Sequence, residues 1–182
     1  MKYLKDIWAE KIPNYNIEYQ PIFEKLANVG NDGGNNEERA RETGRVFATQ
    51  YEFYIYAFFL GLYSNEQQVS TKKETFGHKI SEWGKKNRYS LRDSFTEIQD
   101  FIFISLVTKC DIDFIQLERS SNENDIKNAV SKLVELMESY ANGGLQLIKE
   151  KLDDNENYFI TSPSVPMNFL LSKIFSPMCE YN

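Results

Sequence analysis

Apolar positions along the chain gather into three long blocks, divided by stretches rich in Asn, Gly and charge. The first block lies within GRVFATQYEFYIYAFFLGLYSNEQ, residues 44–67, where the eleven residues from Phe53 to Tyr63 carry no charge. A bilayer span needs about 20 apolar residues, so this run is too short to be one. It also lacks the period of two that marks a half-buried strand. An apolar segment with no polar face is the pattern of a helix enclosed by other helices. The spacing predicts a central helix over 49–63. Thr49 serves as its N-cap, with Glu52 three residues on to complete a capping box, and the polar YSNEQQ ends it. Gly61 would admit a close neighbour, and the hydroxyls of Tyr51, Tyr54, Tyr56 and Tyr63 would reach the rim.

The second block, SLRDSFTEIQDFIFISLVTKCD, places Phe95, Ile98, Ile102 and Leu106 at helical spacing, and Phe101, Phe103 and Ile104 widen the apolar face. Ser90 is a suitable N-cap with Asp93 in the first turn, and Lys109 suits the negative end of the helix dipole. Two helices this apolar predict a pair packed on each other. The third block sets Ile126, Val130, Leu133, Met137, Tyr140, Gly144 and Leu147 at alternating steps of four and three. That seam has a period of about 3.5 and marks one face of a long helix. Asn-Gly-Gly at 142–144 would ordinarily stop a helix, giving two helices instead of one. The seam keeps its phase through the glycines, which favours a continuous helix whose Gly143 and Gly144 touch a neighbour.

YLKDIWAEKI and YQPIFEKLANV read as two short amphipathic helices, and GNDGGNNEE as a flexible loop after them. Residues 64–75 read as a polar loop, FGHKISEWGKK as a short helix and PMNFLLSKIF as a last one before Pro177. The sum is an all-α single domain, a helical bundle of six to eight helices around two very apolar central ones. Its expected organisation is an N-terminal helical hairpin at 1–30 packed on the body, a loop at 31–43, a helical core at 44–176 and a tail at 177–182.

Composition adds the material for a core. Thirteen Phe and eleven Tyr among 182 residues bring large buried areas. The formal charge of −6 gives no whole-chain reason to bind DNA or an anionic membrane. Acidic residues in MKYLKDIWAEKIPNY interrupt the apolar run a secretion signal needs, and Cys110 and Cys179 match no metal or redox spacing. A cytoplasmic protein with reduced thiols is expected, with no membrane partner, no cofactor and no metal.

Catalytic chemistry is sparse. His78 is the single histidine, so neither a Ser-His-Asp nor a Cys-His pair can be assembled with choices to spare. GNDGG lacks the Gly-Lys-Ser/Thr ending of a phosphate-binding loop. The acidic pairs at 37–38 and 153–154 read as solvated loop charges. No catalytic residue is assigned.

One charge feature rises above background. From Lys72 to Arg92 there are seven basic residues against two acidic ones, a local +5 that leaves −11 for the rest of the chain. Lys72, Lys73, Lys79, Lys85, Lys86, Arg88 and Arg92, with Trp83 and Tyr89 interleaved, form a mixture suited to phosphates and stacked bases. The same residues would suit an acidic protein partner, or a loop kept in water.

YEFYIYAFFLGLY, FGHKISEWGKK, FTEIQDFIFISLVTKCDIDFIQLE and ESYANGGLQLIKEKL together resemble a group of small bacterial proteins of DNA phosphorothioation (Dnd-type) modification and restriction neighbourhoods. The resemblance covers roughly residues 44–155. It rests on Ala57, Leu60 and Gly61, then Tyr140, Ala141, Asn142, Gly144 and Leu145. It implies a non-enzymatic accessory protein of a DNA modification or defence system, working through contacts with other proteins of that system and, more weakly, with DNA; oligomerisation stays open. Some relatives carry a "glycoside hydrolase family 15" label, which implies the alternative, a small hydrolase with a site of scattered Asp, Glu and Tyr.

Overall fold

The computed structural model describes residues 4–27, 45–86, 93–120 and 122–175. Seven α-helices fall among them: α1 (Leu4–Ala9), α2 (Gln20–Leu26), α3 (Gln50–Ser64), α4 (Glu97–Lys109), α5 (Phe114–Ser120), α6 (Glu123–Asp154) and α7 (Val165–Phe175). One two-stranded antiparallel ribbon joins β1 (Tyr15–Asn16) to β2 (Lys73–Glu74), with Tyr15 opposite Glu74 and Asn16 opposite Lys73. The fold is an all-α single domain.

The central helix forms where its capping signals place it. Thr49 accepts a hydrogen bond from the Glu52 amide at 3.3 Å, and the helix ends at Asn65 in a left-handed conformation. Its main partner is α6, which runs unbroken through Asn142, Gly143 and Gly144. The two helices cross with their backbones in contact. A Cβ built on Gly144 would strike the Ala57 carbonyl oxygen and lie 3.0 Å from the Gly61 nitrogen; one on Gly61 would strike the Tyr140 carbonyl and lie 2.9 Å from the Gly144 nitrogen. At Gly143 a Cβ would strike the Glu66 carbonyl, just beyond the end of α3. Three glycines therefore set how near the two helices and the following loop can come.

The second central helix is α6, and α4 is peripheral. Among α4 residues only Gln99, Ile102 and Leu106 are buried, whereas Phe101 and Ile104 stand in solvent. The glycine crossing lets α6 take the position against α3 that the apolar count assigned to α4. What remains for α4 is one edge against α6 and the Trp8 ring, which meets Phe103 at 5.4 Å between centroids. The expected cap at Ser90 lies outside the described residues, as do the loop beginning at Gly30 and the tail after Phe175.

Three further expectations change. Tyr54 does not reach the rim: it is fully buried, and its hydroxyl donates to the Asn14 carbonyl at 3.2 Å. The segment around FGHKISEWGKK makes a single 3-10 turn at Ile80–Glu82, and the polar loop at 64–75 contains β2. The helix at Phe114–Ser120 was not foreseen; Asp113 caps it by accepting from the Gln116 amide at 2.9 Å.

α1 packs on α6, and α2 on α3. Their Trp8, Phe23 and Leu26, with Tyr15 and Tyr19 between them, are all buried in the same core as Phe53, Phe58 and Met137. Burial pushes the Tyr15 and Tyr19 hydroxyls up to about 12, aided by Glu74 and Glu24 in the first case and Glu18 in the second. Tyr54 is raised as well, by its complete burial and then by the charge on Glu138.

Gly144→Ala should destabilise the protein even though alanine favours helix by up to about 1 kcal/mol over glycine. Overpacking against backbone costs about 1–3 kcal/mol, which at this size is a fall of about 2–12 °C in melting temperature. A rise in melting temperature would show that the helices do not touch there. High pH gives a second test. A tyrosine whose folded pKa is raised contributes stability that is intact below the unfolded value near 10 and is lost as pH climbs through the folded value. Stability should therefore fall from about pH 10 upward, with phenolate absorbance appearing together with unfolding for the buried tyrosines. Full phenolate absorbance near pH 10 in a chain still folded by circular dichroism would contradict this.

Candidate functional site

The basic segment is partly spent on the fold. Trp83, expected as a stacking platform, is fully buried, with Tyr51, Tyr54 and Phe76 around its ring. Its large apolar surface gains more from the aromatic core than from solvent, so it offers no face to a base. The Lys73 ammonium pairs with Glu138 at 2.7 Å, Lys79 with Glu10 at 2.8 Å and Lys86 with Asp93 at 3.2 Å. The hydrogen bond that Lys79 donates to Glu10, and then the charge of that carboxylate, raise the Lys79 pKa. Lys72 and Lys85 are exposed, while Arg88, Tyr89 and Arg92 lie outside the described residues. His78 sits 3.5 Å from Glu82, four residues on.

A buried polar clamp holds this segment down. Glu138, almost wholly buried on α6, accepts from the Asn14 amide at 2.9 Å, from the Asn14 side chain at 2.8 Å and from Lys73. One turn later Asn142 accepts from the Asn16 amide at 2.9 Å and donates to Ser70 at 2.8 Å. The Asn16 side chain in turn accepts from the amides of Thr71 at 3.2 Å and Lys72 at 3.1 Å. Residues 70–73 are thereby strapped across α6 together with β1. Asn14, Asn16 and Glu138 were not singled out from sequence, and Asn142 entered only in Asn-Gly-Gly and through the resemblance. The available signal was the placement of Glu138 and Asn142 four apart, close behind the seam residues Met137 and Tyr140.

Two outer surfaces remain. α7 turns Met167, Leu171 and Phe175 outward at successive steps of four, exposed by 57%, 37% and 54%, and α4 exposes Phe101 and Ile104 by 62% and 58%. Below the C-terminal end of α4 lies an open cleft of about 410 Å3 between the 111–113 loop, α5 and the first turns of α6. Asp111, Asp113, Asp125 and Lys132 line it with Gln116 and Asn128, and Ile112, Leu117 and Ala129 add apolar lining. Among the described residues, no group of three or more His, Cys, Asp or Glu is placed to hold a metal, and no helix is long and apolar enough to cross a membrane.

No protein family, curated protein or solved structure matches the chain. The residues that carry the resemblance to Dnd-neighbourhood proteins, Ala57, Leu60, Gly61, Tyr140, Ala141, Asn142, Gly144 and Leu145, are all buried, and the glycines among them form the α3–α6 crossing. They serve packing.

Removing the carboxylate at the centre of the clamp tests its weight. Glu138→Ala would strand the part-buried Asn14 donors and unpair Lys73, whose half-exposed ammonium can recover some solvation from water. A loss of about 2–3 kcal/mol is expected in denaturant titrations, below the full cost of breaking a buried pair. A loss under about 0.5 kcal/mol would place the segment's anchorage elsewhere.

Proposed function

We infer that this is a non-enzymatic interaction protein that works by docking on other proteins through its outer helices. The observation that carries the reading is the unbroken apolar stripe on α7: Met167, Leu171 and Phe175 recur at one face, with the second exposed pair on α4. Single exposed apolar residues are ordinary, but a repeated large apolar face is the anatomy of a contact surface. A bacterial DNA modification or defence system is the setting that the resemblance suggests, and this reading adopts it.

Weak DNA contact is secondary, since three of the five lysines described between Lys72 and Lys86 are held by carboxylates. The hydrolase alternative lacks a supporting observation. Glu138, the one buried carboxylate among the described residues, is already occupied by Asn14 and Lys73.

Met167→Ser with Leu171→Ser and Phe175→Ser, and separately Phe101→Ser with Ile104→Ser, should leave melting within a few degrees of the parent, because these side chains are exposed. At least one of the two sets should abolish co-purification of the partner from the native host. Undiminished co-purification by both sets, or a parent chain that brings down no protein at all, would defeat the reading.

A further inference from the structure

We propose that the cleft between the 111–113 loop, α5 and the start of α6 docks an amphipathic, basic helical segment of a partner protein. The inference rests on the interaction reading above and names the partner's chemistry. The first ground is shape. At about 410 Å3 the cleft has the volume of a formed binding site, and Ile112, Leu117 and Ala129 give it apolar lining for one or two large apolar side chains. The second ground is continuity. Phe101 and Ile104 are exposed on α4, and the chain leaves the end of that helix directly into the 111–113 loop that lines the cleft. Exposed apolar side chains on the helix that precedes an apolar-lined cleft suit a helix-in-groove contact, which reads anchors at one helical face.

The third ground is charge. Asp111, Asp113 and Asp125 face one cation, Lys132, so the lining carries a net charge of −2. One Asp113 oxygen already caps α5, which leaves Asp111 and Asp125 as the carboxylates available to a partner's Lys or Arg. Gln116 and Asn128 can serve its remaining donors and acceptors. Complementary charge fixes the choice and register of partner more than it adds affinity. An acidic helix would meet repulsion from both free carboxylates, and a neutral one would leave them unanswered.

The test uses the full chain and a synthetic helical peptide with Leu and Phe on one face and Lys and Arg flanking it. A second peptide carries Glu at every Lys and Arg position. Fluorescence anisotropy should show binding of the basic peptide that weakens with salt, and none of the acidic peptide. Asp111→Asn with Asp125→Asn should weaken binding about three- to tenfold, the effect of two surface ion pairs. Asp153→Asn with Asp154→Asn, at the other end of α6, makes the same change in net charge and should leave binding unaltered. Equal losses in both double variants would reduce the effect to bulk charge, and equal binding of the two peptides would leave apolar contact alone; either overturns the proposal. So would no binding of the basic peptide by a folded chain. Such a result, with partner co-purification still sensitive to the α4 or α7 substitutions, would sink the cleft assignment and leave the interaction reading standing.

Discussion

Everything else in this molecule is arranged around the approach of two helix backbones. Gly61 on α3 and Gly144 on α6 lie where each would drive a Cβ into the other helix's carbonyl, so the crossing exists only because neither has one. The cost is the poor helix propensity of glycine, about 1 kcal/mol at each position. The return is close packing of Ala57, Leu60, Ala141 and Leu145, which are all buried. Because α6 is tied to α3 at its centre, its N-terminal half is left to hold α4 and α5, and its polar side is left to hold the strap at 70–73.

That strap explains why a basic segment need not be a binding segment. Lys73 is drawn in by a carboxylate buried on α6, and the backbone just before it, at Thr71 and Lys72, is held by the Asn16 side chain. A charge engaged with a buried partner is unavailable to a phosphate unless the pair is broken, which is costly. Trp83 is engaged in another way, by aromatic packing. Among the described residues, exposed apolar side chains stand on α4 and α7 and acidic ones line the cleft beside α5, while Lys72 and Lys85 remain exposed.

How far the sequence predicts this depends on the kind of signal. The long helix was legible because its seam from Ile126 to Leu147 holds one phase across Asn142–Gly144, and phase is a stronger indicator than local glycine content. Thr49 and the polar YSNEQQ marked both ends of α3. The position of α4 was not legible, because a count of apolar residues does not say which side of a helix is covered; Phe101 and Ile104 raise that count from the solvent side. Strands of two residues have no periodicity to detect. Trp83 among lysines is equally consistent with a platform and a core residue until tertiary contacts decide. Nor did the clamp stand out, since Asn14, Asn16 and Asn142 are uncharged and Glu138 looks in sequence like any surface glutamate on a helix.

The claim that the α3–α6 crossing is the structural centre, with the outer helices held on it, is open to one direct measurement. Native-state hydrogen exchange of the isolated chain resolves the opening free energy of each segment. Amides of α3 and of α6 around Tyr140–Ile148 should be the slowest and should open only with global unfolding, whereas those of α4, α5 and α7 should open at lower free energies. Protection in α4 and α7 equal to that of α3, or faster exchange across the α6 glycines than in the outer helices, would contradict the account.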